Sequence, residues 1–127
     1  MTNPLLEFQE IIRSKQISSQ RKPDKQTRTL LLYLFTSTRG GFSRLRIIML
    51  LLDKPYNTHQ LAQTLNLDYK AVQHHIKVLE KNNMVSKIGE KYGAIFHLSN
   101  FLEMNIFTLE EAIRKLDRKM NQKKVYM

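Results

Sequence analysis

The chain has 127 residues, 42% hydrophobic and 25% charged, which fits one soluble domain of ordinary size with terminal extensions. Lys and Arg number 21 against 11 Asp and Glu, and the net charge of +10 points to a polyanionic partner. With no cysteine, disulfide scaffolds, thiolate zinc sites and thiol catalysis are excluded. The longest apolar runs, Leu30 to Phe35 and Ile47 to Leu52, fall far short of the roughly twenty residues of a membrane span.

The first predicted element is a helix from Pro4 to about Ser18, with Leu5, Phe8 and Ile12 at helical spacing, Asn3 as cap and Pro4 in the first turn. Pro4, Glu7 and Glu10 interrupt any signal-peptide pattern, so the expected place is the cytoplasm. The polar stretch Ser18 to Arg28 reads as a linker. Thr29 to Thr38 is short and apolar; Leu30, Leu31 and Leu34 favour a helix that ends at Gly40-Gly41.

Ser43 is the expected cap of a helix to about Leu52, stopped by Asp53-Lys54-Pro55. Its apolar residues run nearly all round, so it must be covered on more than one side. Thr58 is expected to cap a helix to Leu65 with Leu61, Ala62 and Leu65 inward. Asn66-Leu67 makes a tight turn, and Asp68 caps a helix from Tyr69 to about Asn82 whose inward face is Val72, Ile76 and Leu79. Two strands follow, Met84 to Ile88 and Ala94 to Leu98, joined by the glycine-bounded loop Gly89 to Gly93.

The last element, Phe101 to about Gln122, places Leu102, Ile106, Leu109, Ile113, Leu116 and Met120 at spacings of 4, 3, 4, 3, 4, a heptad seam suited to zipping two chains together. A capping box at Thr108 to Glu111 marks a possible break near Asn105, but the seam favours one nearly continuous helix.

Two helices around a tight turn, followed by a hairpin, give the plan of a winged helix-turn-helix. The expected class is α+β, mainly helical, with N-terminal and C-terminal helical extensions. The expected organisation is an N-terminal helix and linker over 1–28, the DNA-binding domain over 29–100 and a dimerisation helix over 101–127. Once the inward face of the second helix is set aside, Tyr69, Lys70, Gln73, His74 and Lys77 remain, a basic and hydrogen-bonding face with Asp68 and Glu80 only at its ends. Lys reaches phosphate or guanine, and Gln pairs with adenine. Thr58, His59 and Gln60 open the supporting helix, where free N–H groups suit a phosphate, and Lys87, Lys91 and Tyr92 surround the wing tip. The four histidines show no ligand spacing, so no metal is expected; no nucleophile and base, phosphate loop or acid–base pair is apparent, so no enzyme and no cofactor is expected.

From Arg39 to Asn100 the chain resembles the ArsR-type winged-helix regulators, and especially their archaeal relatives. The residues that carry the likeness are Thr38-Arg39-Gly40-Gly41, Arg44 to Leu52, Leu61-Ala62-Gln63-Thr64-Leu65 and, above all, Asp68 through Leu79 with the phrase His74-His75-Ile76-Lys77-Val78-Leu79. The resemblance implies a dimeric transcription regulator on partly palindromic DNA. Asn83 stands where the family usually has a glycine, and the cysteines of its metal-sensing members are missing. The expected partners are thus double-stranded DNA and a second copy, with no membrane and no assigned effector. The competing readings are a winged-helix adaptor for protein contact and a nonspecific architectural nucleic-acid binder.

Overall fold

The computed structural model describes residues 6–7, 10, 24–90 and 93–125, with side chains up to 118. Most of the expected helix from Pro4 lies outside these residues; Leu6, Glu7 and Glu10 are helical. The chain forms two compact units, Met1–Gly41 with Asn105–Met127, and Phe42–Met104.

In the first unit, helix α1 (Lys25–Leu32) begins inside the stretch expected to be a linker. The cause is local. Asp24 accepts the Thr27 N–H at 2.7 Å and the Thr27 hydroxyl at 2.9 Å, which fixes the first turn. Helix α1 widens into a π-helical turn, Tyr33–Ser37. The Thr36 hydroxyl donates to the Leu32 carbonyl at 2.7 Å, occupying the acceptor that its own N–H would use in an α-helix. Gly41 is needed for close approach, since a Cβ there would lie 2.6 Å from the Phe35 carbonyl oxygen. Helix α1 and the π turn pack on the long C-terminal helix. Their shared core includes Leu31, Leu34, Phe35, Ile106, Leu109, Ala112 and Ile113. Arg28 pairs with Glu111 at 3.3 Å across this packing.

The second unit opens with α2 (Gly41–Asp53), two residues earlier than the expected Ser43 cap. Leu45, Ile47, Ile48, Met49, Leu51 and Leu52 are all buried, so the helix is covered on several sides as its composition requires. Next come α3 (Thr58–Leu65) and α4 (Tyr69–Lys81), packed on each other. Strands β1 (Val85–Ile88) and β2 (Ile95–Leu98) form an antiparallel hairpin in register Val85 with Leu98 through Ile88 with Ile95. A further bridge, not expected from the residue pattern, joins Tyr56 to Phe96 by two backbone hydrogen bonds of 3.1 and 2.8 Å.

The C-terminal helix, expected to be nearly continuous, is interrupted at one residue, at the position near Asn105 where the capping box allowed a break. Helix α5 (Asn100–Met104) ends at Asn105, and α6 (Ile106–Val125) starts there. The Asn105 carbonyl accepts the N–H groups of Thr108 and Leu109 at 3.0 and 3.1 Å, so the new helix starts at Asn105 and not at the Thr108 box, where Thr108 is already buried inside α6. The seam residues Leu102, Ile106 and Leu109 are fully buried and Ile113 nearly so within the single chain, while Leu116 is half-buried. Met120 lies in the part of α6 described by its backbone alone.

Ser99 ties this region to the hairpin. Its hydroxyl donates to the Asn83 carbonyl at 2.6 Å and accepts the Leu102 N–H at 3.0 Å, and the residue is 2% exposed. Replacing Ser99 with Ala removes a helix cap and strands a carbonyl acceptor. The expected loss of stability, read by denaturant unfolding, is about 1–2 kcal/mol.

Candidate nucleic-acid interface

The interface is built from the turn between α3 and α4. The α3 cap is Asn57, one residue before the expected Thr58, and it forms a full capping box. Its side chain accepts the Gln60 N–H at 2.7 Å, and the Gln60 side-chain carbonyl accepts the Asn57 N–H at 2.9 Å. Gln60 therefore serves as a capping residue, and of its amide only the NH2 group is left to reach outward. Asn66 takes the left-handed conformation at φ 55, and the Leu67 N–H returns to the Ala62 carbonyl at 3.0 Å. That closes α3 in the manner of a glycine-ended helix.

Asp68 then starts α4, accepting the N–H groups of Lys70 and Ala71 at 3.1 and 3.3 Å. This carboxylate occupies the donors that a phosphate would use at the start of α4. Val72, Ile76 and Leu79 are buried, and burying such side chains stabilises each by about 1.5–3 kcal/mol. With that stripe fixed inward, Lys70 and Lys77, two turns apart, lie on one outward line, and Gln73 and His74 flank it. Tyr69, Lys70, Gln73, His74 and Lys77 are all exposed. His59 and Gln60 at the start of α3 are exposed as well, and Thr58 is half-buried. Asn83 ends α4 at φ 60, so it takes the conformation for which a glycine is usual, and the Met84 N–H bonds the Leu79 carbonyl at 2.8 Å.

The hairpin has one buried and one outward face. Val85, Phe96 and Leu98 are inward, whereas Ile88 and Ile95 pair outward, 60% and 41% exposed. Gly89, at φ 87, begins the reversal, and Lys87 is exposed beside it. Lys91 and Tyr92 lie outside the described residues.

Two arginines of α2 reach the helix pair, and neither was singled out as functional from the sequence. Arg46 donates to the Leu65 carbonyl at the end of α3 at 3.4 Å. Arg44, 6% exposed, donates to Nδ1 of His75 in α4 at 3.5 Å. Desolvation by burial, then the Arg44 charge, then His74, hold the His75 pKa below its ordinary value of 6.5. The signal in the sequence is a pair of arginines near the start of a largely apolar helix. Among the described residues no three His, Asp or Glu side chains gather as a metal site, and no helix is long and apolar enough to cross a membrane.

Residues 43–87 match the family described as bacterial regulatory protein, arsR family. Those residues are an arsR-family helix-turn-helix. The match spans α3, α4 and the turn between them. The family is one of DNA-binding transcriptional regulators and not of enzymes. No curated protein matches the chain by sequence.

Solved structures show the winged-helix fold. Reduced HlyU from Vibrio cholerae is 21% identical, with a TM-score of 0.52 over 72% of this chain and 90% of its own. The transcriptional regulator BldR from Sulfolobus solfataricus is 14% identical, with a TM-score of 0.56 over 94% and 85%. The heme sensor protein PefR from Streptococcus agalactiae, solved with heme, is 15% identical, with a TM-score of 0.55 over 94% and 80%.

In the arsR-type segment the Asp68 cap separates stability from charge. Asp68→Ala is expected to cost about 0.5–2 kcal/mol in urea unfolding, whereas Asp68→Asn, which keeps an equivalent cap, changes stability by a few tenths at most.

Proposed function

We propose that this chain is a sequence-specific regulator that binds double-stranded DNA as a homodimer. The major groove takes α4, and the hairpin lies on the flanking backbone. The observation that carries this reading is the exposed line of Lys70, Gln73, His74 and Lys77 opposite the buried stripe of α4, within an arsR-family helix-turn-helix. Lys70 and Gln73 are the base-reading residues, because both sit near the start of α4, the end that enters the groove. Lys77, Lys87 and the first turn of α3 at Thr58 and His59 meet phosphate, which fixes register without reading sequence. The protein works in the cytoplasm, where its DNA is.

The same geometry supports a dimer. One reading helix spans a single half-site, and two related by symmetry read half-sites about 34–36 Å apart or a multiple of that. The expected seam narrows, because Leu102, Ile106, Leu109 and Ile113 are already covered within one chain. In our reading the second copy meets the later part of α6 at Leu116 and Met120, together with Tyr33 and Phe107, which are 59% and 41% exposed in the same unit. Exposed aromatic side chains such as Tyr33 and Phe107 are common anchors of an interface.

Selection of bound duplexes from a random pool tests the function. With the selected duplex, Lys70→Ala and Gln73→Ala are expected to lose about 1–3 kcal/mol of discrimination at the base each one reads. Lys77→Ala should weaken all sequences alike and reduce the salt slope by about one. A pool that yields no preferred sequence ends the specific reading. Leu116→Asp is expected to give monomers in sedimentation without loss of fold; a persistent dimer moves the interface elsewhere.

A further inference from the structure

The helix that would read DNA is braced from behind by a contact that tolerates only one protonation state. Arg44 of α2 is buried, and its Nη1 lies 3.5 Å from Nδ1 of His75, which is half-buried on α4. A guanidinium has five donors, no acceptor and a permanent charge. Nδ1 of His75 must therefore be the bare nitrogen, and the ring must be neutral with its proton on Nε2. His74, whose ring centroid is 5.8 Å away at an interplanar angle of 56°, stands on the exposed side of the same helix.

The charged groups around His75 are Arg44 from α2 and His74 from its own helix, and both oppose its protonation. The other elements packed on α4 carry His59 on α3 and Lys87 on β1, both exposed, and neither contributes to the lowering. The remaining ionisable groups of α4 and its cap, Asp68, Tyr69, Lys70, Lys77, Glu80 and Lys81, are exposed.

We propose that Arg44 and His75 are a positioning pair that seats the reading helix for duplex recognition only while His75 is neutral, so that mild acid unseats it. This rests on the DNA-binding reading above. A proton on Nδ1 would turn the acceptor into a donor aimed at other donors and set two positive charges against each other at a part-buried site. The helix then shifts away from α2 to separate the two charges, and Lys70, Gln73 and Lys77 move with it. The direction follows from linkage. A histidine with a lowered folded pKa contributes stability that is present above its unfolded pKa and is lost as pH falls through the folded one. Comparison with His75→Gln isolates the contribution of this one ring.

The test uses the full chain and a duplex selected from a random pool at pH 7.5, titrated from pH 8 to pH 5.5 at fixed ionic strength. Wild type, His75→Gln and Arg44→Met are compared. The wild-type affinity, taken relative to His75→Gln, should fall roughly three- to tenfold across that range, with tenfold per pH unit the limit for a single coupled proton. Arg44→Met should weaken the acid sensitivity, and Arg44→Lys should restore it. A His75→Gln profile that runs parallel to wild type overturns the proposal. If no duplex is selected at all, the DNA-binding reading fails, and the joint is read separately by hydrogen exchange at α4 amides 72–79, corrected for the intrinsic effect of pH. Opening on acidification in wild type but not in His75→Gln supports the joint; equal protection in both sinks it. Should His75→Gln fail to fold, an NMR titration of wild type decides. A His75 ring that titrates below its ordinary value, with Nδ1 unprotonated, supports the proposal. One that titrates at or above that value overturns it.

Discussion

The buried stripe of Val72, Ile76 and Leu79 governs the rest of the second unit. Three apolar side chains at spacings of 4 and 3 can be covered together in only one rotation of α4. Once they are covered, the same rotation turns Lys70, Gln73, His74 and Lys77 outward. The two turns that bracket the helix hold this rotation. Asn66 at φ 55 and Asn83 at φ 60 both occupy left-handed positions that asparagine tolerates at little cost. The chain thereby sets its angles at both ends of the helix without glycine.

The first unit follows a different logic. Its helices meet through a mostly aliphatic core, and that core takes up Ile106, Leu109 and Ile113 of the heptad pattern. A 4,3 spacing identifies a stripe that needs covering, but it does not specify what covers it. In this chain α1 and its π turn cover Ile106, Leu109 and Ile113, which moves any meeting with a second copy towards the end of α6. The one-residue interruption at Asn105 belongs to the same arrangement. It falls at a buried polar residue whose backbone carbonyl begins the next helix.

Much of the candidate site could be read directly. The exposed residues of α4 follow from its inward stripe by subtraction, and both Asp68 and Asn66 announce themselves by residue type. The misreadings have physical causes. Asn57 and Thr58 are both good caps, and the choice between them turned on Gln60 three residues after Asn57. Asp24 was absorbed into a polar stretch because its partner, Thr27, is itself polar yet buried. Tyr56 joins β2 as a single bridged residue, too short to leave a period. Arg44 was invisible as a positioning residue because its partner lies 31 residues away on another helix.

Composition and periodicity by themselves settled the basic character of the chain, the identity of the helices and strands around the turn, and which side of α4 faces out. These are local properties, fixed by spacing along one element and by the conformational tastes of single residues. Tertiary structure alone decided what each apolar stripe rests on, where α1 and α6 begin, and that a buried arginine confronts His75. Those facts depend on contacts between residues distant in sequence, and such contacts are chosen by the packing of whole elements, about which the spacing within any one element carries no information.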